Sequence, residues 1–153
     1  MTTDPIQVVT RLLENPANPK IVNELVARDA TYINLNYDGG ELQKILPWAG
    51  TSSGPDAFVD TYHRFFKYWD SVEFHVQEIF SAGANVAVFG VFTHRSAALG
   101  KSVTSPFSIW AKVKNGKVVF FRYMEDTCAT AESFKAGGTW RILVDPEGKP
   151  FEV

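Results

Sequence analysis

Residues 107–125 read FSIWAKVKNGKVVFFRYME, and their reading decides the fold. Asn115-Gly116 lies between two runs of β-branched and aromatic residues, the strongest short hairpin signal a sequence carries, because both residues tolerate the positive φ of a tight turn. A two-residue turn fixes the register of the flanking strands. Lys114 then faces Lys117 and Val113 faces Val118; continued without interruption, Trp110 faces Phe121 and Ser108 faces Tyr123. Side chains alternate across a sheet. One face therefore carries Ser108, Trp110, Phe121, Tyr123 and Glu125, and the other Phe107, Ile109, Ala111, Phe120, Arg122 and Met124. Both faces hold apolar residues, so both need cover.

Outward from the hairpin, further strands are predicted over roughly 71–81, 85–96, 103–114 and 117–126. Before them, Ser52-Ser53-Gly54-Pro55 opens a helix whose apolar residues Phe58, Val59, Tyr62, Phe65, Phe66 and Trp69 recur at helical spacing. Asp38-Gly39-Gly40 and Pro47-Trp48-Ala49-Gly50 bracket an irregular insertion. Residues 30–36 form a first strand. Two short helices precede it, each started by a capping residue and a proline, Thr3-Asp4-Pro5 and Asn18-Pro19. After the hairpin, Asp126-Thr127 caps a short helix ending near Gly137-Gly138, and a last strand near 139–144 leads into a polar tail. Helices first and strands afterwards predict one α+β domain over 1–153, with its core at about 4–135 and a C-terminal strand and tail at 138–153. The helices close one face of a curved antiparallel sheet into a cone around a pocket. The other face is covered either by a second copy, giving a homodimer, or by the C-terminal segment.

The totals narrow the partners. Aromatic residues make up 14% of the chain, more than packing alone asks for, which points to a ring-lined cavity or an aromatic interface. A net charge of −2 without a basic block argues against nucleic acid and anionic membrane. No basic-then-apolar leader opens the chain and no apolar run reaches membrane length. With a lone Cys128, the expectation is a cytoplasmic protein without disulfides. Three scattered histidines and one cysteine do not make a metal site, and no cofactor is expected.

The stretch from Pro47 to Phe134 resembles the SnoaL-like branch of the nuclear-transport-factor-2-like superfamily, relatives of ketosteroid isomerases, polyketide cyclases and limonene-epoxide hydrolases. The resemblance is carried by Pro47-Trp48-Ala49-Gly50-Thr51, Gly54-Pro55-Asp56-Ala57-Phe58, Gly100-Lys101 leading to Pro106-Phe107, Asn115-Gly116-Lys117-Val118 and Arg122-Tyr123-Met124-Glu125-Asp126-Thr127. It implies a cystatin-like α+β roll and a small apolar or aromatic ligand. It does not transfer a mechanism. Asn34 stands where ketosteroid isomerases carry their carboxylate base, Thr10 at the oxyanion tyrosine and about Ser108 at the acid. Tyr32 and Asn34 match the water-holding pair of limonene-epoxide hydrolases, with Arg95 at a matching arginine. The two carboxylates of that family, however, read Ala97 and Tyr123.

The candidate catalytic residues are thus Tyr32, Asn34, Arg95, Tyr123 and Glu125, and the candidate ligand-binding residues Trp48, Ser108, Trp110 and Phe121. Each has a plain structural alternative. Tyr32 and Asn34 either line the pocket or satisfy neighbouring backbone. Arg95 either orients a ligand carbonyl or anion or pairs with Glu125 at the mouth, and Trp48 is a lid or a plug. Trp110 and Tyr123 are pocket wall or plain core. Asp126 reads as a helix cap. His94, next to Arg95, is expected on the opposite face, and His63 and His75 at the surface. Three functions stay open: a cofactor-free isomerase, cyclase, dehydratase or hydrolase acting on an oxygenated apolar substrate, a non-catalytic carrier or sensor, and a dimeric interaction module.

Overall fold

The computed structural model describes residues 4–153; Thr3 of the predicted first cap lies outside them. Asp4 accepts a hydrogen bond from the Ile6 backbone N–H and Pro5 begins α1 (Pro5–Glu14). Asn18 caps α2 (Pro19–Leu25) in the same way through Lys20 and Ile21. In both helices proline stands where its missing N–H costs nothing. The chain passes straight from α2 into β1 (Val26–Asn34). The insertion holds a single helical turn, α3 (Leu42–Ile45), and a short strand, β2 (Gly50–Ser53). Then come α4 (Gly54–Tyr68), β3 (Trp69–Ala82), β4 (Asn85–Ser96), β5 (Ser102–Lys114), β6 (Lys117–Glu125) and α5 (Thr127–Glu132). Asp126 caps α5 by accepting from the Ala129 N–H.

The main sheet runs β2-β1-β6-β5-β4-β3, a curved sheet packed by helices. Four of its neighbouring pairs are antiparallel, but β1 and β6 run parallel, which corrects the all-antiparallel expectation. No local turn joins β1 to β6, so nothing in the nearby sequence imposes their direction. The C-terminal residues do not extend this sheet. Only Arg141–Ile142 (β7) is strand there, and it pairs with Phe151–Glu152 (β8) as a separate ribbon.

The hairpin turn forms as its sequence dictates, with Asn115 and Gly116 both at positive φ and Val113 opposite Val118. Beyond it the register slips. Lys112 faces Phe120, leaving Val119 without a partner; Trp110 faces Arg122 and Ile109 faces Tyr123. Such a β-bulge moves one strand's side chains to the other face relative to its neighbour. Phe107, Ile109, Ala111 and Val113, like Val103 and Ser105 in the same row, are therefore buried on β5, in company with Phe121 and Tyr123. Trp110 is 42% exposed on the outer face, and Ser108, two residues away, shares that face.

Along β4, Val86, Val88, Phe92 and His94 are buried, so the even-numbered positions point inward and Arg95 points out. Gly90 belongs to the same inward row. A Cβ there would lie 2.2 Å from the His75 carbonyl oxygen and 2.5 Å from the Phe107 ring, so only glycine lets β3 and the Phe107 ring close over β4. The core gathers between this inner face and α1, α2 and α4, around Val9, Leu12, Val22, Phe58, Phe92 and Phe121.

Candidate functional site

Between the inner face and the helices lies a cavity of about 250 Å³, walled by residues from the sheet, two helices and the insertion. β1 contributes Tyr32 and Asn34, and α4 contributes Thr61, Tyr62, Phe65 and Phe66. The sheet adds Ser71 and Phe74 from β3, His94 from β4 and Tyr123 from β6, while the insertion adds Trp48. Leu13, Glu14 and Pro16, at the end of α1, complete the lining. Exposed Phe66 and Phe74 mark its open side.

The polar wall follows from strand register. In the parallel pairing Tyr32 faces Phe121 and Asn34 faces Tyr123, so period-two alternation brings all four side chains to one face. Asn34 Nδ2 donates to the Tyr32 hydroxyl at 2.8 Å, and Asn34 Oδ1 is buried without a partner. Tyr62 approaches from α4, close enough for its hydroxyl and that of Tyr32 to influence each other. Burial holds the pKa of Tyr32, Tyr62 and Tyr123 above the ordinary phenol range. All three keep their protons, and the wall presents neutral hydroxyls and an amide.

Glu125 stands behind Tyr123, outside the lining. Its residue is only partly enclosed, but both carboxyl oxygens are sealed without a hydrogen-bond partner in good geometry. Burial drives its pKa up to about 8; the Thr130 and Tyr123 hydroxyls pull it partly back and the Asp126 charge adds to the rise. The carboxyl group is thus protonated at neutral pH. His94 of β4 shifts the other way, down to about 4, because burial disfavours the imidazolium.

Of the residues picked out from sequence, Tyr32, Asn34, Tyr123 and Trp48 meet at the cavity. Phe121 is buried behind it, packed edge-on against Tyr32 at 5.6 Å. Trp48 is a plug in the wall, 4.9 Å from Trp69 and 5.2 Å from Phe65. Three expectations need correction. Ser108 and Trp110 lie on the outer face because of the bulge at Val119. Arg95 also faces out and pairs with Asp70 at 3.7 Å rather than with Glu125. His94, expected outside, lines the cavity. Tyr62 was visible on the apolar stripe of α4, but nothing local marks it as the neighbour of Tyr32. Among the described residues no cluster of His, Cys, Asp and Glu could hold a metal ion, and no helix is long and apolar enough to cross a membrane.

Comparison with known proteins agrees with this architecture. The chain is 39% identical over 150 residues to patulin biosynthesis cluster protein F of Penicillium expansum, covering 94% of this chain and 75% of that one. It is 38% identical over 151 residues to patulin synthesis protein F of Aspergillus clavatus, covering 95% and 76%. The solved structure of a nuclear-transport-factor-2-like protein from Burkholderia thailandensis shares the fold with a TM-score of 0.75, at 22% identity, over 87% of this chain and 98% of that one. The SnoaL-like domain model matches residues 9–121, the span from α1 to the middle of β6 that supplies nearly all of the cavity wall. The chain belongs to the SnoaL-like family and has the nuclear-transport-factor-2-like fold.

Proposed function

We propose that the cavity takes up a small, neutral, largely apolar and oxygenated molecule and carries out a cofactor-free acid/base step on it, as an isomerase, cyclase, dehydratase or hydrolase. The supporting observation is the neutral polar wall of Tyr32, Asn34, Tyr62 and Tyr123 set into a ring-lined cavity, with a protonated Glu125 behind it. Such a wall offers hydrogen bonds to a carbonyl or hydroxyl without a fixed charge. Exposed Glu14 is the only acidic residue in the lining and His94 the only basic one. An anion would enter without a counter-ion, at a high desolvation cost. The names of the two fungal relatives tie those proteins to patulin biosynthesis, in keeping with a small-molecule biosynthetic step here.

Quenching of Trp48 fluorescence, with Trp48→Phe as the blank, tests this reading. Neutral phenols and cyclic ketones are expected to quench saturably and the matching carboxylates are not. Tyr32→Phe should weaken binding about tenfold, the worth of one hydrogen bond. Equal binding of neutral and anionic probes, or none of either, would remove the reading.

The outer face supports a second copy as partner. Phe80, Phe89, Trp110 and Met124 are all exposed there, and the C-terminal ribbon pairs with itself instead of extending the sheet. Exposed apolar patches of this kind mark interaction surfaces. Light scattering is expected to give a dimer, and Trp110→Glu to shift it toward monomer while leaving cavity binding intact. A wild-type protein that stays monomeric at high concentration sinks the proposal.

A further inference from the structure

His94 is a basic side chain set among aromatic rings in the cavity wall. It lies on the inner face of β4, paired in register with Ser71 of β3 and Val103 of β5. Its ring is stacked on Phe92 at 4.3 Å, with Phe65 at 4.9 Å and Trp69 at 5.1 Å. These rings fix the orientation of the imidazole and offer it no hydrogen bond. Nδ1 is sealed in the wall without a partner in good geometry, the Thr93 backbone being its nearest polar influence. Nε2 is not among the sealed atoms, and His94 is the one basic side chain in the cavity lining.

The arrangement separates His94 from the hydroxyl wall. Rings stack in a row from His94 through Phe92 and Phe107 to Tyr123, placing the two groups at opposite ends of the cavity floor. We propose that His94 is the catalytic base of this site, its Nε2 taking a proton from one end of a ligand whose oxygenated end lies against Tyr123, Tyr32 and Asn34. The assignment rests on the reading of the cavity as a reactive site. A neutral imidazole at one end and neutral donors at the other are what a proton transfer needs, with acid and base kept apart by their surroundings.

The groups that could complicate its titration are few. Phe65 from α4, Trp69 and Ser71 from β3 and Val103 from β5 carry no titrating side chain. Tyr32, Tyr62 and Tyr123 line the other wall with Glu125 behind them, and Glu14 of α1 stands at the mouth. His94 is therefore expected to stay neutral above about pH 4.

The test uses 5-nitrobenzisoxazole, a neutral, planar C–H acid, with the full-length protein. The base removes the ring C–H proton, the C–H electron pair completes a nitrile, the N–O bond breaks and the oxygen departs as a phenolate that is followed by absorbance. The proton on His94 passes to water. Saturable ring opening is expected, with a rate constant level from pH 5 to 9 and falling only as His94 protonates near 4. His94→Gln and His94→Phe should each lower it about 100-fold, the usual worth of a positioned base. A rate that climbs through pH 8 would make ionised Glu125 the base and overturn the assignment, even if neither variant folds. Wild-type rates in a folded His94→Phe protein would overturn it as well. Saturation without acceleration rejects His94 but leaves the cavity reading standing, whereas absence of saturation rejects both.

Discussion

Replacing Trp69 with alanine is expected to destabilise the protein by about 3–5 kcal/mol, the range for truncating a buried aromatic residue. The upper end is favoured because Trp69 does more than fill space. It is 1% exposed and stacks on Phe134 at 5.5 Å while meeting Trp48 at 4.9 Å, His94 at 5.1 Å and Phe65 at 5.2 Å. Its Nε1 donates to Ser133 Oγ at 3.1 Å. One side chain thus ties the end of α4, the start of β3, the insertion loop and the segment after α5 to the cavity wall. Since a domain of this size has roughly 5–15 kcal/mol in all, Trp69→Ala should move the urea midpoint to a large fraction of its way to zero at an unchanged m-value. Trp69→Phe keeps a ring and loses the hydrogen bond to Ser133, so its loss should be much smaller. A Trp69→Ala stability within about 0.5 kcal/mol of wild type, the range typical of surface substitutions, would show that the ring cluster does not hold these elements together.

Trp69 also shows how the sequence led and misled. Its helical spacing from Phe65 and Phe66 extends the apolar stripe of α4, yet it is the first residue of β3. It points inward in either role, so periodicity alone could not place the boundary. The hairpin at Asn115-Gly116 was legible because a two-residue turn is a local matter. The bulge at Val119 was not, because Val118-Val119-Phe120 are three good strand formers in a row and the choice among registers is made by distant packing. One local signal pointed the right way. Ser102, Ser108, Lys112 and Lys114 all occupy even positions of β5, which marks Trp110 as an outward residue. β4 gave a weaker signal, since Phe89 and Val91 on its outer side are as apolar as Val88 and Phe92 on its inner side, and so the inward direction of His94 was lost.

Tyr32 and Asn34 were legible as a pair because two residues' spacing on a strand guarantees a shared face. Their position beside Tyr123 rests on a parallel pairing between β1 and β6, strands 89 residues apart at Tyr32 and Phe121. No turn records that contact. The same topology brings Tyr62 to Tyr32, which is why Tyr62 reads from the sequence as part of an apolar stripe and not as a site residue.

Raising the pH from 5 to 9 is expected to weaken the protein, and Glu125→Gln is expected to remove most of that loss. The ordinary carboxyl pKa of 4.5 rises to about 8 in the folded chain, so between these values the folded state holds a proton that the unfolded state has released. Stability then falls with rising pH, by up to about 1.4 kcal/mol per pH unit for one group, and levels off above 8. His94 acts in the opposite sense. Its pKa drops from 6.5 to about 4, so through that window the unfolded chain holds the extra proton and stability rises with pH. The two slopes offset each other from 4.5 to 6.5, and the Glu125 slope stands alone from there to 8. Denaturant unfolding at a series of pH values should therefore show a plateau in mildly acidic buffer and a decline through neutrality. Glu125→Gln, which keeps the size of the neutral acid, should lie near wild type at pH 5 and exceed it by several kcal/mol at pH 9. A variant that declines in parallel with wild type would mean that Glu125 is ionised in the folded protein at neutral pH, and the neutral wall argued for the cavity would lose its buried acid.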